Sequence, residues 1–122
     1  MWIEEITEEL KHHIIPFWEG LMDEAHGGFY GYMDYDLQVD QNAEKGCILN
    51  SRITWFFSNA YLRLQNPKLL TCATHGYEFL KKACLDETYG GVYWAVSAVG
   101  NPTDTTKHTY NQAFAIYALC AY

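Results

Sequence analysis

The sequence lacks the features by which several large classes of protein are recognised. It has only 8 lysines and arginines against 15 aspartates and glutamates, which gives a formal net charge of −7. Nucleic acid and anionic membranes both require a basic patch, so neither is expected as a partner. No run of about 18 apolar residues is present, and no transmembrane helix is expected. The amino terminus is acidic and lacks the basic start and apolar run of a signal peptide, which predicts a cytoplasmic protein.

The sequence also lacks the short motifs of common catalytic and metal sites. It has no His-Glu-x-x-His, no zinc cysteine pattern, no Walker loop and no Gly-x-Ser-x-Gly. Four cysteines are widely spaced and are expected to be reduced, mostly buried thiols. Five histidines form no convincing metal or catalytic site. These residues are Cys47, Cys72, Cys84 and Cys120, and His12, His13, His26, His75 and His108.

What the sequence has in abundance is apolar and aromatic side chains. Hydrophobic residues make up 49% of the 122 residues and aromatic residues 16%. The length suits one small domain. The aromatic share suits either a large core or a pocket lined with rings, and carbohydrate sites are often lined with rings.

Four segments have the apolar periodicity of helices. They run over about 3–21, 49–64, 68–83 and 111–122. The first and third are amphipathic, and the first is expected to bury Ile3, Ile6 and Leu10 on one face. Pro16 is expected to bend the first helix or to end its first segment. The second and fourth are apolar nearly all round.

A Gly-Gly pattern divides the chain into two repeats. Gly27-Gly28 occurs in the first half and Gly90-Gly91 in the second, and each pair is followed by an apolar residue and a tyrosine. We expect a short β-hairpin at each pair, because strand-forming residues follow a tight turn. Repeat one then spans about 1–65 and repeat two about 67–122.

The repeat predicts an all-α fold built from helix pairs. Two apolar inner helices and two amphipathic outer ones cannot close a core by themselves, so neighbouring pairs are needed. Repeated pairs can close into an α/α toroid, which we favour over an open solenoid because the inner helices have almost no polar face. Two pairs make about the first third of a six-pair ring, an (α/α)6 barrel.

Acidic residues precede both Gly-Gly pairs, at 23–24 and at 86–87. Two carboxylates are the catalytic groups of many glycosidases. Their repeated place before a turn favours a structural role in the turn instead.

Two polar triplets stand where the apolar helices begin. Residues 50–52 are Asn-Ser-Arg and residues 110–112 are Tyr-Asn-Gln, and we pair Arg52, the last residue of the first triplet, with Tyr110, the first residue of the second, 58 residues later. In a toroid the inner helices begin around one rim of the central cavity, and helix N-termini favour partial negative charge. Such a rim suits a substrate that becomes an oxyanion, as a sugar does when it forms an enediolate.

The candidate site residues have structural alternatives. Arg52 donates paired hydrogen bonds to sugar oxygens or pairs with a structural carboxylate. Tyr110 contacts substrate or is a core tyrosine, and Asn111 contacts substrate or satisfies backbone groups at the helix start. His108 contacts a ligand or is a capping or solvated residue. Trp94 stacks on a sugar or packs within its hairpin.

Five stretches resemble the N-terminal part of the cellobiose 2-epimerases of the N-acylglucosamine 2-epimerase family. In order they are His-Ile-Ile-Pro-Phe-Trp, Gly-Gly-Phe-Tyr-Gly, Ser-Arg-Ile-Thr-Trp-Phe-Phe-Ser-Asn-Ala-Tyr, Gly-Gly-Val-Tyr-Trp and Lys-His-Thr-Tyr-Asn, at 13–18, 27–31, 51–61, 90–94 and 107–111. The resemblance covers essentially the whole chain but only about the first third of a family member.

The resemblance implies an (α/α)6 barrel and an isomerase that acts on reducing sugars. One histidine of the family removes the proton from carbon 2, an enediolate forms, and a second histidine returns a proton to the opposite face. Arg52 matches the arginine that stabilises the enediolate oxygen, and Tyr110 matches a tyrosine that contacts the substrate. No organic cofactor or metal is implied, and the substrate is a β-1,4-linked disaccharide such as cellobiose or lactose.

None of the five histidines matches the family's catalytic pair, which the resemblance implies lies beyond Tyr122. We therefore expect a fragment of a larger parent, itself expected to be a monomer. The fragment alone is expected to be inactive and prone to self-association through exposed apolar faces. An aldose–ketose isomerase of the same barrel family is one alternative. A non-catalytic helical-repeat module that binds a protein or glycan is another.

Overall fold

Helix α3, Cys47–Leu64, is the central helix of the structure. It packs against helix α4, Pro67–Phe79, on one side and against helix α5, Thr109–Ala121, on another. The structure, a computed structural model, describes all 122 residues. None of its helices combines the length and the apolar character needed to cross a bilayer.

The turn between α3 and α4 is fixed by three consecutive residues. Gln65 takes a left-handed conformation, with φ of 54°, and ends α3. The Asn66 side chain accepts a hydrogen bond from the Lys68 backbone N–H at 3.1 Å, which caps α4. Pro67 follows as the first residue of α4, where a missing N–H costs nothing. The two helices are therefore joined by one sharp turn.

The amino-terminal helix is interrupted as its proline predicts. Helix α1 spans Trp2–Glu9, a wider π-helical segment spans Leu10–Ile14, and helix α2 spans Ile15–Glu19. Pro16 lies in the first turn of α2. Because proline has no N–H and its ring crowds the preceding turn, the regular hydrogen-bond ladder cannot continue through it. A second π-helical segment, Leu80–Cys84, follows α4.

The Gly-Gly pairs form tight turns and not extended hairpins. A single antiparallel bridge closes each turn, Met22 to Phe29 in the first and Leu85 to Val92 in the second. All four glycines have positive φ, from 69° to 83°, which few other residues tolerate. The expected strands do not extend beyond these bridges. The aromatic residues that follow each turn pack into the core or lie at the surface and are not part of a strand.

A small antiparallel sheet forms elsewhere. Its strands are β1, Lys45–Gly46, β2, Ala95–Val96, and β3, Pro102–Asp104, in the order β1-β2-β3. Strand β3 lies within the polar stretch 100–107. The Cys47 backbone N–H also donates to the Trp94 carbonyl at 3.0 Å. The sheet therefore ties the start of α3 to the second repeat.

The core consists of two neighbouring clusters on the two sides of α3. One joins α2, α3 and α4 around Phe29 and Phe57, whose rings stack at 5.8 Å. The other joins α3, the second π-helical segment and α5 around Val96 and Ala118. Helix α3 contributes to both clusters and therefore connects them.

Candidate functional site

A buried ion pair anchors the start of α3 to the first turn. The Lys45 ammonium, one residue before Gly46, donates to Asp23 Oδ2 at 2.6 Å and to the Gly27 carbonyl at 2.8 Å. Both charged side chains are almost completely buried. Asp23 Oδ1 in turn accepts two backbone N–H bonds within the turn. The carboxylate therefore belongs to the turn and is not free for catalysis.

The second repeat contains the same arrangement ahead of α5. The Lys107 ammonium donates to Asp86 Oδ2 at 2.7 Å and to the Gly90 carbonyl at 2.7 Å. The Lys107 hydrogen bond, assisted by a backbone N–H, lowers the pKa of Asp86 to about 2. Asp86 is held as a structural anion, and the two aspartates do not form a glycosidase pair.

A second equivalence fixes how the two inner helices correspond. The Phe29 backbone N–H donates to the Asn50 side-chain oxygen at 2.8 Å, and the Val92 backbone N–H donates to the Gln112 side-chain oxygen at 2.7 Å. The step along the chain from Asn50 to Gln112 equals the step from Lys45 to Lys107. We call this common correspondence between α3 and α5 the turn register, because contacts to the two Gly-Gly turns define it.

The turn register corrects the alignment drawn from the polar triplets. It pairs Arg52 with Phe114, and Tyr110 with Ile48. The pairing of Arg52 with Tyr110 was wrong. It aligned the two helices by their polar residues alone, whereas hydrogen bonds to the Gly-Gly turns determine where each helix begins. Arg52 and Tyr110 are therefore not equivalent positions, although both belong to the same site.

A cavity of about 580 Å³ lies between the amino-terminal halves of α3 and α5. Its lining is apolar and aromatic apart from the guanidinium of Arg52 and the phenol hydroxyls of two tyrosines. The lining residues are Trp18, Ile48, Leu49, Arg52, Ile53, Trp55, Phe56, Tyr110, Phe114 and Tyr117. An aromatic pocket with a few convergent polar groups is the usual form of a small-molecule site.

Arg52 is the one charged side chain in this lining. It is exposed and has no carboxylate partner within 4 Å, so the structural ion pair considered above is not formed. Its guanidinium carbon lies 5.4 Å from the centre of the Phe114 ring. The five N–H donors of the guanidinium are therefore not used by any protein acceptor.

Tyr110 lies at the mouth of the cavity. Its side chain is 57% exposed, so it is not a core tyrosine. Its ring meets the Phe114 ring edge to face, with centroids 5.2 Å apart. The structure therefore brings Tyr110 and Arg52 together around one aromatic ring.

Asn111, His108 and Trp94 do not line the cavity. Asn111 is completely buried, and its amide N–H donates to the Tyr93 carbonyl at 2.7 Å, while its side-chain oxygen has no partner. His108 precedes α5, is exposed, and lies 4.5 Å from the Trp94 ring. Of these three candidates, Asn111 is therefore buried beside Tyr93, and His108 and Trp94 pack against each other outside the cavity.

No histidine lines the cavity, so no imidazole base stands beside Arg52. No three metal-ligating side chains are grouped anywhere in the structure. Residues that sequence reasoning missed are Phe114 and the stacked pair Trp55 and Tyr117, whose rings are 5.1 Å apart. A signal for them was present, because aligning Lys45 with Lys107 would have placed Phe114 opposite Arg52.

The model of the N-acylglucosamine 2-epimerase family matches residues 28–122. A cellobiose 2-epimerase of Ruminococcus albus is 58% identical over all 122 residues, which cover 31% of that protein. A cellobiose 2-epimerase of Dictyoglomus turgidum is 48% identical over 97% of this chain and 30% of its own length. The chain thus spans about a third of the length of the curated relatives it matches.

Two solved structures superpose on this chain over nearly its whole length. A cellobiose 2-epimerase of Bacillus thermoamylovorans superposes with a TM-score of 0.98 at 46% identity, over 99% of this chain and 31% of that one. A D-mannose isomerase superposes with a TM-score of 0.78 at 28% identity, over 92% of this chain and 29% of that one. The structural neighbours are (α/α)6 barrel proteins, and the helix pairs described above make up about a third of such a barrel.

Proposed function

Because this chain belongs to the N-acylglucosamine 2-epimerase family, we propose that it forms part of a sugar 2-epimerase. The proposed substrate is a β-1,4-linked disaccharide such as cellobiose or lactose. The proposed reaction inverts carbon 2 of the reducing-end glucose, which becomes mannose. The observation that carries the proposal is a free guanidinium in an aromatic cavity, in a chain 58% identical to cellobiose 2-epimerases.

The degree of similarity supports epimerisation over aldose–ketose isomerisation. Cellobiose 2-epimerases share 58% and 48% of their residues with this chain, whereas the D-mannose isomerase structure shares 28%. The two reactions share an enediolate and differ in whether the proton returns to carbon 2 or to carbon 1.

In the proposed mechanism a base removes the proton from carbon 2 of the ring-opened sugar. The electron pair of the broken C–H bond forms a double bond between carbons 1 and 2, and the negative charge moves to the oxygen on carbon 1. Arg52 donates hydrogen bonds to this oxygen, and it stabilises the intermediate because the charge is greatest there. A second group then returns a proton to the opposite face of carbon 2.

Tyr110 and the aromatic walls have complementary roles in this proposal. The Tyr110 hydroxyl, at the mouth of the cavity, hydrogen-bonds a sugar hydroxyl. Apolar ring faces pack against the C–H faces of a pyranose, and they exclude water from the enediolate. No metal or organic cofactor takes part in the proposed reaction.

The proton-transfer groups are not supplied by the cavity described here, because no histidine lines it. We therefore expect the 122 residues by themselves not to epimerise cellobiose. Turnover of cellobiose by the isolated chain would contradict this assignment of roles.

A chimera tests the proposal. Residues 1–122 replace the matching segment of the Ruminococcus albus relative, and conversion of cellobiose to the mannose-containing epimer is followed by NMR. We expect activity in the chimera and its loss to near background in Arg52→Lys, since a lysine cannot reproduce a bidentate contact. Arg63→Lys, at the exposed far end of α3, is the matched control and should retain activity.

Three outcomes are informative. A folded chimera without activity contradicts the proposal, as does an Arg52→Lys variant as active as the Arg63→Lys control. Tight cellobiose binding without turnover by a folded chimera favours a non-catalytic binding module over an epimerase.

A further inference from the structure

Phe114 contacts both Arg52 and Tyr110 in the cavity. Its ring centre is 5.4 Å from the Arg52 guanidinium carbon and 5.2 Å from the Tyr110 ring. It also meets the Tyr117 ring edge to face at 6.4 Å. Tyr117 is itself stacked on Trp55. The Phe114 ring is therefore braced from α5 and from α3.

Arg52 has no other partner that would fix its position. It forms no ion pair, and none of its nitrogens donates to a carbonyl or a side chain in the structure. A long flexible side chain with an exposed end loses much conformational entropy when it is held for catalysis. An aromatic face attracts a guanidinium and leaves its in-plane N–H donors free.

The internal repeat strengthens this observation. Arg52 and Phe114 are equivalent positions of α3 and α5 under the turn register. The cation and the ring that it faces therefore lie at equivalent positions on two neighbouring inner helices. The contact arises from the geometry that relates the repeats and does not require a distortion of either helix.

We propose that Phe114 is a positioning residue that holds the Arg52 guanidinium towards the cavity. Phe114 touches no reacting atom, and it acts by limiting the orientations of Arg52 before the substrate binds. The inference rests on the proposed function for its catalytic consequence, whereas the positioning itself is a property of these two side chains.

The test uses the chimera defined above and compares Phe114→Leu with Phe114→Tyr. Loss of the ring should lower kcat about 2- to 30-fold, the range expected for loss of a cation–π contact, with little change in KM. Phe114→Tyr retains the ring and should retain most of kcat. Tyr77→Leu removes an aromatic ring from a stacked pair outside the cavity and is the matched control.

A second measurement follows Arg52 directly. The side-chain 15Nε–1Hε signal of Arg52 should carry a ring-current shift, which Phe114→Leu abolishes and which Phe114→Tyr and Tyr77→Leu preserve. A kcat unchanged by Phe114→Leu would overturn the proposal. A lower kcat with an unmoved Arg52 signal would also overturn it, because Phe114 would then act in another way.

The failure of this inference can be distinguished from that of the proposed function. If the unsubstituted chimera is folded but inactive, the epimerase proposal is contradicted. The Arg52 signal then still tests the positioning, which is overturned if the signal does not respond to Phe114→Leu.

Discussion

Lys45 and Lys107 hold the same place in two copies of one turn, but they differ in burial. Each ammonium donates to an aspartate and to a glycine carbonyl ahead of an inner helix. The Lys45 side chain is 0% exposed and that of Lys107 is 31% exposed. A buried ion pair and a partly hydrated ion pair of the same geometry can therefore be compared within one chain.

Lys45→Met should destabilise the protein far more than Lys107→Met. The first change leaves the Asp23 carboxylate buried without its partner, which costs about 3–5 kcal/mol. Water can reach Asp86 more easily, so loss of its lysine partner lowers the free energy of unfolding by less. Urea unfolding measures both, and equal losses in the two variants would contradict the argument. Asp23→Asn should recover part of the stability lost in Lys45→Met, since the neutral amide still accepts the backbone bonds.

Acid should destabilise the protein between about pH 4 and pH 2. The Lys107 hydrogen bond lowers the pKa of Asp86 from 3.8 to about 2, so its ionised form is favoured by folding. A depressed pKa contributes stability above the unfolded value of 3.8, and this contribution is lost as pH falls towards 2. Lys107→Met should show a shallower loss over this interval. An identical pH dependence in both proteins would exclude the Asp86 pair as the cause.

Gly76→Ala should destabilise α4, although alanine is usually the better helix former. A Cβ at residue 76 would clash with Thr54 Oγ1 on the facing helix α3. Overpacking of this kind costs about 1–3 kcal/mol. Gly20→Ala is the control, because residue 20 has a helical conformation and an added Cβ there would meet only backbone oxygens at 3.4 Å. If Thr54→Ala does not relieve the loss in Gly76→Ala, the predicted contact is not the cause.

The sequence predicted the helices because their periodicity is local. Helix α3 was expected from 49 and begins at Cys47, and the break at Pro16 follows from the chemistry of one residue. Arg52 and Tyr110 were identified as candidates because polar residues are rare in apolar helices. These features depend on near neighbours in the chain.

What could not be predicted depends on contacts between distant segments. The register of α5 is set by the hydrogen bond from the Val92 backbone N–H to Gln112, and the polar residues at the helix start pointed to a different register. The strand Pro102–Asp104 forms only because Ala95–Val96 lies beside it. The expected burial of the first helix was wrong for Ile3 and Ile6, which are 82% and 65% exposed, whereas Leu10 packs against the core. Periodicity shows which face is apolar but not whether anything covers it.

The isolated chain should self-associate through two apolar faces, one on α1 and one on α5. Ile6 is 65% exposed. Leu69 lies at the matching place in the second repeat, by the step that separates the two Gly-Gly pairs, and is only 1% exposed because α4 packs against α3. Leu119 is 38% exposed, whereas Phe57, its counterpart under the turn register, is fully buried. Ile6→Glu combined with Leu119→Glu should shift the species seen by light scattering towards monomer. Val99→Glu, on an exposed loop, is the control, and a monomeric unsubstituted chain that unfolds cooperatively would refute the prediction.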